Sequence, residues 1–311
     1  MLLASACGGG RETRIIPNPA AVITSRTFPQ SFNFIIISDW GWNGYKFQRE
    51  VAGQMAKTAD SVRARFIATC GDNFQVAGVA STQDPLWMSS FENIYQPLSL
   101  QVDWYPVLGN HDYKGSTQAE IDYSKISRRW KLMDHYYTFT RKVNDSISVR
   151  FIFLDTTPLV SQYYRRPEDY PDVLRQDTSK EITWLKSVLR DSHESWKLVF
   201  GHHPVYSASK KHGNTREMIE RVKPLLEKYH AQFYFCGHDH DLQHLKEKGG
   251  FTDYMVTGTG GSPRPCSTDS LSLFSASAPA VSVVSLHADS LTVCFIGTSG
   301  NIIYRFSRSY H

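Results

Sequence analysis

The chain has 311 residues, 41% hydrophobic and 13% aromatic, which supplies a substantial core and excludes a disordered polymer. Its net charge of +4 is too small to argue for nucleic acid. No internal apolar run reaches the roughly 18 residues of a membrane-spanning helix, and five cysteines make no dense disulfide framework.

The start, MLLASACGGG, reads as the tail of a lipoprotein signal, with Cys7 as the lipidated residue and the glycines as a tether. Residues 1–30 are therefore expected to be a signal remnant and linker, and 31–311 a single domain. The expected location is outside the cytoplasm, either periplasmic or membrane-anchored. FNFIIISD (32–39) is a continuous apolar run ending in aspartate, a strand buried on both faces. Helical spacing follows over 46–63, then a second strand, RFIATCGD (65–72). A helix is expected over 84–95 and a strand over 103–112. Further strands are expected at 147–156, 195–203 and 231–240, with amphipathic helices over 178–190 and 214–228 before the last two. From 253 onward strands dominate, at 253–257, 280–287, 290–297 and 301–307. Alternating strands and helices that give way to strands predict a layered α/β fold with more than one sheet. Cys70 and Cys236 read as buried thiols. Cys266 and Cys294 are candidates for a disulfide.

Polar side chains recur at the C-terminal tips of successive apolar strands: Asp39, Asp72, Asn110 with His111, His202, then His238 and His240. In open α/β sheets that edge is where ligands bind. Carboxylate, amide oxygen and imidazole nitrogen together suit Zn, Mn or Fe better than Ca. An aspartate can bridge two ions about 3.5–4 Å apart, an arrangement that stabilises the attacking and leaving oxygens of a displacement at phosphorus. His203 reads as a packing or supporting residue, and His135, His193, His230, His287 and His311 as surface histidines. Trp40 and Trp42 read as core or rim packing. The segment 162–171, with Arg165 and Arg166, reads as a polar loop.

Taken in order, "DWG", "GDNF", "GNHD", "GHHP" and "GHDH" resemble the metallophosphoesterase superfamily, and within it the small, mammalian (tartrate-resistant) type of purple acid phosphatase. The resemblance covers roughly residues 32 to 262. It implies a calcineurin-like, four-layer α/β/β/α sandwich of two mixed β-sheets. It also implies hydrolysis of phosphate monoesters by metal-activated hydroxide attack on phosphorus. In that pattern Asp39, Asp72 and His240 bind a first metal, and Asp72 bridges to a second completed by Asn110, His202 and His238. His111 protonates the leaving group, Asp112 orients it, and His212 falls where the family carries another active-site histidine. The chain departs from the pattern at Gln75, where purple acid phosphatases place a tyrosinate that holds Fe(III). Two divalent ions, Mn, Zn or Fe, are therefore expected rather than a ferric site. A small phosphorylated substrate and a monomeric state are expected. The competing readings are a phosphodiesterase or nucleotide hydrolase on the same site, and a metal- or phosphate-binding surface protein without catalysis.

Overall fold

The computed structural model describes residues 5–6 and 31–310; Cys7 and the expected linker, 8–30, lie outside the described residues. Two mixed sheets pack face to face with helices outside. A short strand, β1 (Ser5–Ala6), pairs at the edge of the larger sheet. In the smaller sheet β2 (Phe32–Ile37), β3 (Phe66–Thr69) and β4 (Asp103–Tyr105) run parallel, and α1 (Gln48–Val62) carries the chain from β2 to β3. The larger sheet holds a parallel core of β6 (Ser148–Phe153), β7 (Trp196–Phe200) and β8 (Phe233–Cys236), flanked antiparallel by β5 (Tyr137–Lys142). On its other side β10 (Asp253–Thr257) lies parallel to β8, and then β9 (Leu242–Leu245) and β11 (Ser272–Ser277) follow antiparallel. The antiparallel strands β12 (Ala280–Leu286), β13 (Ser290–Gly297) and β14 (Ile302–Ser309) return the chain to β2 and complete the smaller sheet.

The expected strands up to 257 and the three that end the chain are all present. Their apolar runs are buried on both faces, as in FNFIII, where five of the six residues are buried. Between the sheets, Phe34 stacks on Phe66 at 4.7 Å and meets Phe151 edge-on at 5.5 Å. Trp40 is fully buried against Trp104, Phe91 and Tyr95, so it belongs to the core as expected. Helix α1 turns Val51, Met55, Ala59 and Val62 inward and stops at Arg63 in the left-handed conformation. Helix α2 (Thr178–Arg190) matches its expected span and is capped by Asp177, whose carboxylate accepts from the Ser179 and Lys180 N–H groups.

Several expectations are corrected. The helix expected over 84–95 is a π-helix at Trp87–Glu92. The one expected over 214–228 divides into a π-helix, Met218–Val222, and α3 (Lys223–Lys228). Pro224 lacks the N–H that an uninterrupted helix would use there. The segment 162–171 is not a plain polar loop, because Tyr163 and Tyr170 are buried and pack edge-on at 4.8 Å. Cys70 and Cys236 are buried free thiols. Cys294 is also free and buried whereas Cys266 is disulfide-bonded, so the two do not pair.

Phe34 joins the two sheets, so Phe34→Ala should lower unfolding free energy by about 3–5 kcal/mol in a urea titration. A loss under about 1 kcal/mol would show that the sheets do not depend on this aromatic contact.

Candidate metal centre

The parallel ladders place the strand tips side by side. Asp39 follows β2 and donates its N–H to the Gly71 carbonyl at the end of β3, at 3.1 Å. The His202 carbonyl after β7 accepts from Gly237 N–H after β8, at 3.0 Å. At three of these tips a non-glycine residue takes positive φ: Asp39 at 55°, Asp72 at 49° and His238 at 69°. Such conformations are uncommon and persist where surrounding structure enforces them, typically at functional sites. The loop after β4 has to come very close to Asp72. A Cβ on Gly109 would lie 2.2 Å from the Asp72 nitrogen, which is why GNHD opens with glycine.

Two groups of ligand atoms converge around Asp72. In the first, atoms of Asp39, Asp72 and His240 all lie within 4.8 Å of one another. His240 Nδ1 donates to the Ser262 carbonyl at 2.8 Å, which turns the Nε2 lone pair toward Asp39 Oδ1, 3.3 Å away. Asp39 Oδ2 accepts from Ser38 Oγ and from the His238 N–H. Asp39 Oδ1 is buried with no hydrogen-bond partner. A buried carboxylate oxygen left unpaired is costly, and a cation between it and His240 Nε2 would satisfy both. Burial alone would raise the Asp39 pKa, but His240 and His202 beside it outweigh burial and hold the group ionised below its ordinary range.

In the second group His202 is central. Its Nδ1 donates to the Cys70 carbonyl at 2.8 Å. Its Nε2 then faces Asn110 Oδ1 at 3.1 Å, His238 Nδ1 at 3.3 Å and Asp72 Oδ1 at 3.4 Å. Lone pairs aimed at one point from an imidazole, an amide oxygen and a carboxylate suit a cation better than a hydrogen-bond network. Burial first, then His203 and His202, keeps His238 neutral, as a metal ligand must be. His203 lies in the same cluster, its ring 4.5 Å from that of His238. Its two nitrogens are already engaged by Thr156 Oγ1 and Tyr163 Oη, at 2.9 and 2.7 Å, so it supports the ligands as expected and does not join them.

The remaining residues expected at the site sort into two kinds. His111 stands half-buried at the rim, with Nε2 3.9 Å from Asp72 Oδ2 and Nδ1 3.3 Å from the Val76 carbonyl. His212 lies against the site too, its ring 4.2 Å from that of His238. Partial desolvation against the site, with Arg264 and Lys211 nearby, pushes its pKa down to about 4. Gln75 is buried, and its Nε2 donates to Asp72 Oδ2 at 3.3 Å, so the amide points at the bridging carboxylate. Trp42 is a rim residue, edge-on to His240 with ring centroids 6.2 Å apart.

Asp112 is a correction. It does not touch the His111 ring, which the Val76 carbonyl orients instead. Its buried carboxylate accepts from the backbone N–H groups of Asn73, Phe74 and Gly109, at 3.1, 2.9 and 2.8 Å. It thus ties the loop after β3 to the loop after β4. Glu120 lies behind it, and burial followed by the charge of Asp112 holds Glu120 well above the ordinary carboxylate pKa. His135 is a second correction. It is half-buried, with Nδ1 2.6 Å from Asp155 Oδ2, an oxygen that Tyr113 Oη shares.

The sequence reading missed Ser262 and Arg264. Both lie in TGTGGSPRP (257–265), whose glycines were the available signal. A Cβ on Gly258 would meet the Asp239 carbonyl oxygen at 2.0 Å, so this segment is built for close approach to the ligand turn.

Because Asp112 clamps two loops, Asp112→Ala should lower unfolding free energy by about 3 kcal/mol and reduce metal content. His111→Ala should change activity at nearly wild-type stability. Urea unfolding and metal analysis on both variants check this; equal stability in both would return Asp112 to a role exercised through His111.

A family model described as calcineurin-like phosphoesterase matches residues 32–242. Purple acid phosphatase 17 of Arabidopsis thaliana is 36% identical over 239 residues, 74% of this chain and 68% of that protein. Tartrate-resistant acid phosphatase type 5 of Oryctolagus cuniculus is 35% identical over 244 residues, 74% of this chain and 73% of that protein. In fold, the chain resembles the solved structure described as "GAP50 the anchor in the inner membrane complex of Plasmodium", with a TM-score of 0.80 over 90% of this chain and 89% of that one, at 24% identity. The matched span contains every candidate ligand of both groups around Asp72, and the chain belongs to the calcineurin-like phosphoesterase family, with purple acid phosphatases among its relatives.

Proposed function

We propose that the chain hydrolyses phosphate monoesters at a two-metal centre, with Asp39, Asp72 and His240 holding one ion and Asp72, Asn110, His202 and His238 the other. The observation that carries this is the placement of Asp72 between two convergent ligand groups, with Asp39 Oδ1 unpaired in one and the His202 lone pair facing Asn110 and His238 in the other. A pair of cations held there supplies charge neutralisation at phosphorus and acidifies water at neutral pH.

The protein's own groups complete the chemistry. The His111 backbone N–H donates to Asp72 Oδ1 at 2.9 Å and fixes the bridging carboxylate. With Nδ1–H held by the Val76 carbonyl, a proton on Nε2 is presented at the rim, where it is given to the departing alkoxide. His212, across the mouth beside His238, offers a second imidazole to the phosphate oxygens.

Gln75 sets the metal. A neutral amide pointing at Asp72 gives the first ion no anionic oxygen beyond the two carboxylates, which favours a divalent ion over Fe(III). The non-catalytic reading rests on this residue alone, and the complete second ligand group with His111 at the rim weighs against it.

Purified protein supplied with Mn, Zn or Fe should bind two ions per chain and hydrolyse p-nitrophenyl phosphate. Asn110→Ala and His202→Ala should each cut kcat by about a hundredfold or more. A protein that holds both ions yet leaves the ester intact from acid to alkaline pH would overturn the monoesterase reading. Colour tests the role of Gln75 separately. The wild-type protein should be colourless with iron, and Gln75→Tyr should gain a visible tyrosinate–iron absorption when loaded with ferric iron. A visible band in the wild type would contradict the divalent assignment.

A further inference from the structure

The mouth of the site carries a cation that this chemistry does not use. Arg264 follows Ser262 in the glycine-rich segment after β10. Its backbone N–H donates to the His240 carbonyl at 2.6 Å, so its Cα is fixed by the main chain of a ligand residue. Its Nη1 lies 3.5 Å from His212 Nε2, and His212 in turn lies against His238. Donation from Arg264 to Nε2 selects the His212 tautomer that carries its proton on Nδ1.

Among the described residues the guanidinium forms no ion pair. Asp239, a carboxylate that feels its charge, is turned onto Ser207 Oγ. Lys211 adds a second positive charge beside His212. A guanidinium has five N–H donors in a planar fork, and only one of them is directed at His212. The tips of β2, β3, β7 and β8 close the floor of the site. The alcohol part of a bound ester therefore has to project outward, through a mouth flanked by His111 and by His212 with Arg264 beside it.

Resting on the monoesterase reading, we infer that Arg264 is a specificity-determining residue that binds a second anionic group, a carboxylate or a further phosphate, on the alcohol side of the ester. An arginine suits either group, because its fork matches two oxygens of one planar or tetrahedral anion. The mouth then prefers substrates with two separated anions, one on the metals and one on the guanidinium, over esters of neutral or cationic alcohols.

Steady-state kinetics with O-phosphoserine and O-phosphoethanolamine test this, since the two differ by one carboxylate; pyrophosphate tests the phosphate case and p-nitrophenyl phosphate reports turnover itself. Arg264→Gln should lower the phosphoserine-to-phosphoethanolamine ratio of kcat/KM by about tenfold, mainly through KM. Arg264→Lys should retain part of that ratio, because charge survives without the fork. A fall in the pyrophosphate-to-phosphoethanolamine ratio alone would also support the inference and identify the anion as phosphate. Ratios unchanged in both variants, with p-nitrophenyl phosphate still hydrolysed, would overturn it and leave Arg264 as a support for His212. Wild-type protein that hydrolyses none of these esters would overturn the monoesterase reading and this inference together.

Discussion

The structure depends on keeping two carboxylates, Asp39 and Asp72, inside the sheet edge where water does not reach them. Asp39 is fully buried and Asp72 nearly so. Burying such charges costs several kcal/mol each unless partners offset it. Much of the surrounding geometry supplies those partners. Ser38 and the His238 N–H serve one oxygen of Asp39, and the His111 N–H serves one oxygen of Asp72. Carbonyl acceptors at Cys70 and Ser262 set the imidazoles of His202 and His240 so that lone pairs, not protons, face the carboxylates. The left-handed backbone at Asp39, Asp72 and His238 is the conformational cost of turning these side chains inward straight off a strand.

A second tier of buried polar groups holds the loops that deliver these groups. Asp112 takes three backbone N–H groups from two loops. Asn73 bridges from Thr69 to the Val107 carbonyl and to Glu120. Loops cannot be held this closely by apolar packing alone, because their backbone donors would be left unsatisfied. The conformation of "GDNF" and that of "GNHD" are therefore one structural unit. Its rigidity lets two adjacent residues act together, Asn110 Oδ1 facing His202 Nε2 and the His111 N–H holding Asp72.

Much of this was legible in the sequence. Strands buried on both faces are continuous apolar runs, and a polar residue ending such a run has to be explained. That reasoning found all six metal-ligand candidates, and the structure brings all six together. It did not find β5, β9 or β11. β5 is half exposed and partly charged, β9 is only LQHL directly after the ligand turn, and β11 is rich in serine. None has an apolar run long enough to be seen. The rule also fails to discriminate by itself. Asp155 ends β6 just as Asp72 ends β3, yet its oxygen is taken by Tyr113 and His135. Asp112 follows His111 directly but turns the other way, since adjacent residues in a turn point in different directions. Which side chain faces which is tertiary information, and no spacing in the chain encodes it.

The departure at Gln75 has a simple electrostatic reading. A phenolate at that position adds one negative charge beside the bridging aspartate, and a trivalent ion compensates it. An amide removes that charge, and under the proposed divalent assignment a second divalent ion restores the balance. Two divalent ions against two carboxylates leave the same net double positive charge as a trivalent and a divalent ion against two carboxylates and a phenolate. The attraction for a phosphate dianion is therefore kept while the acidity of the first ion falls. On this argument Gln75 alters the pH at which the site works more than its affinity for phosphoesters.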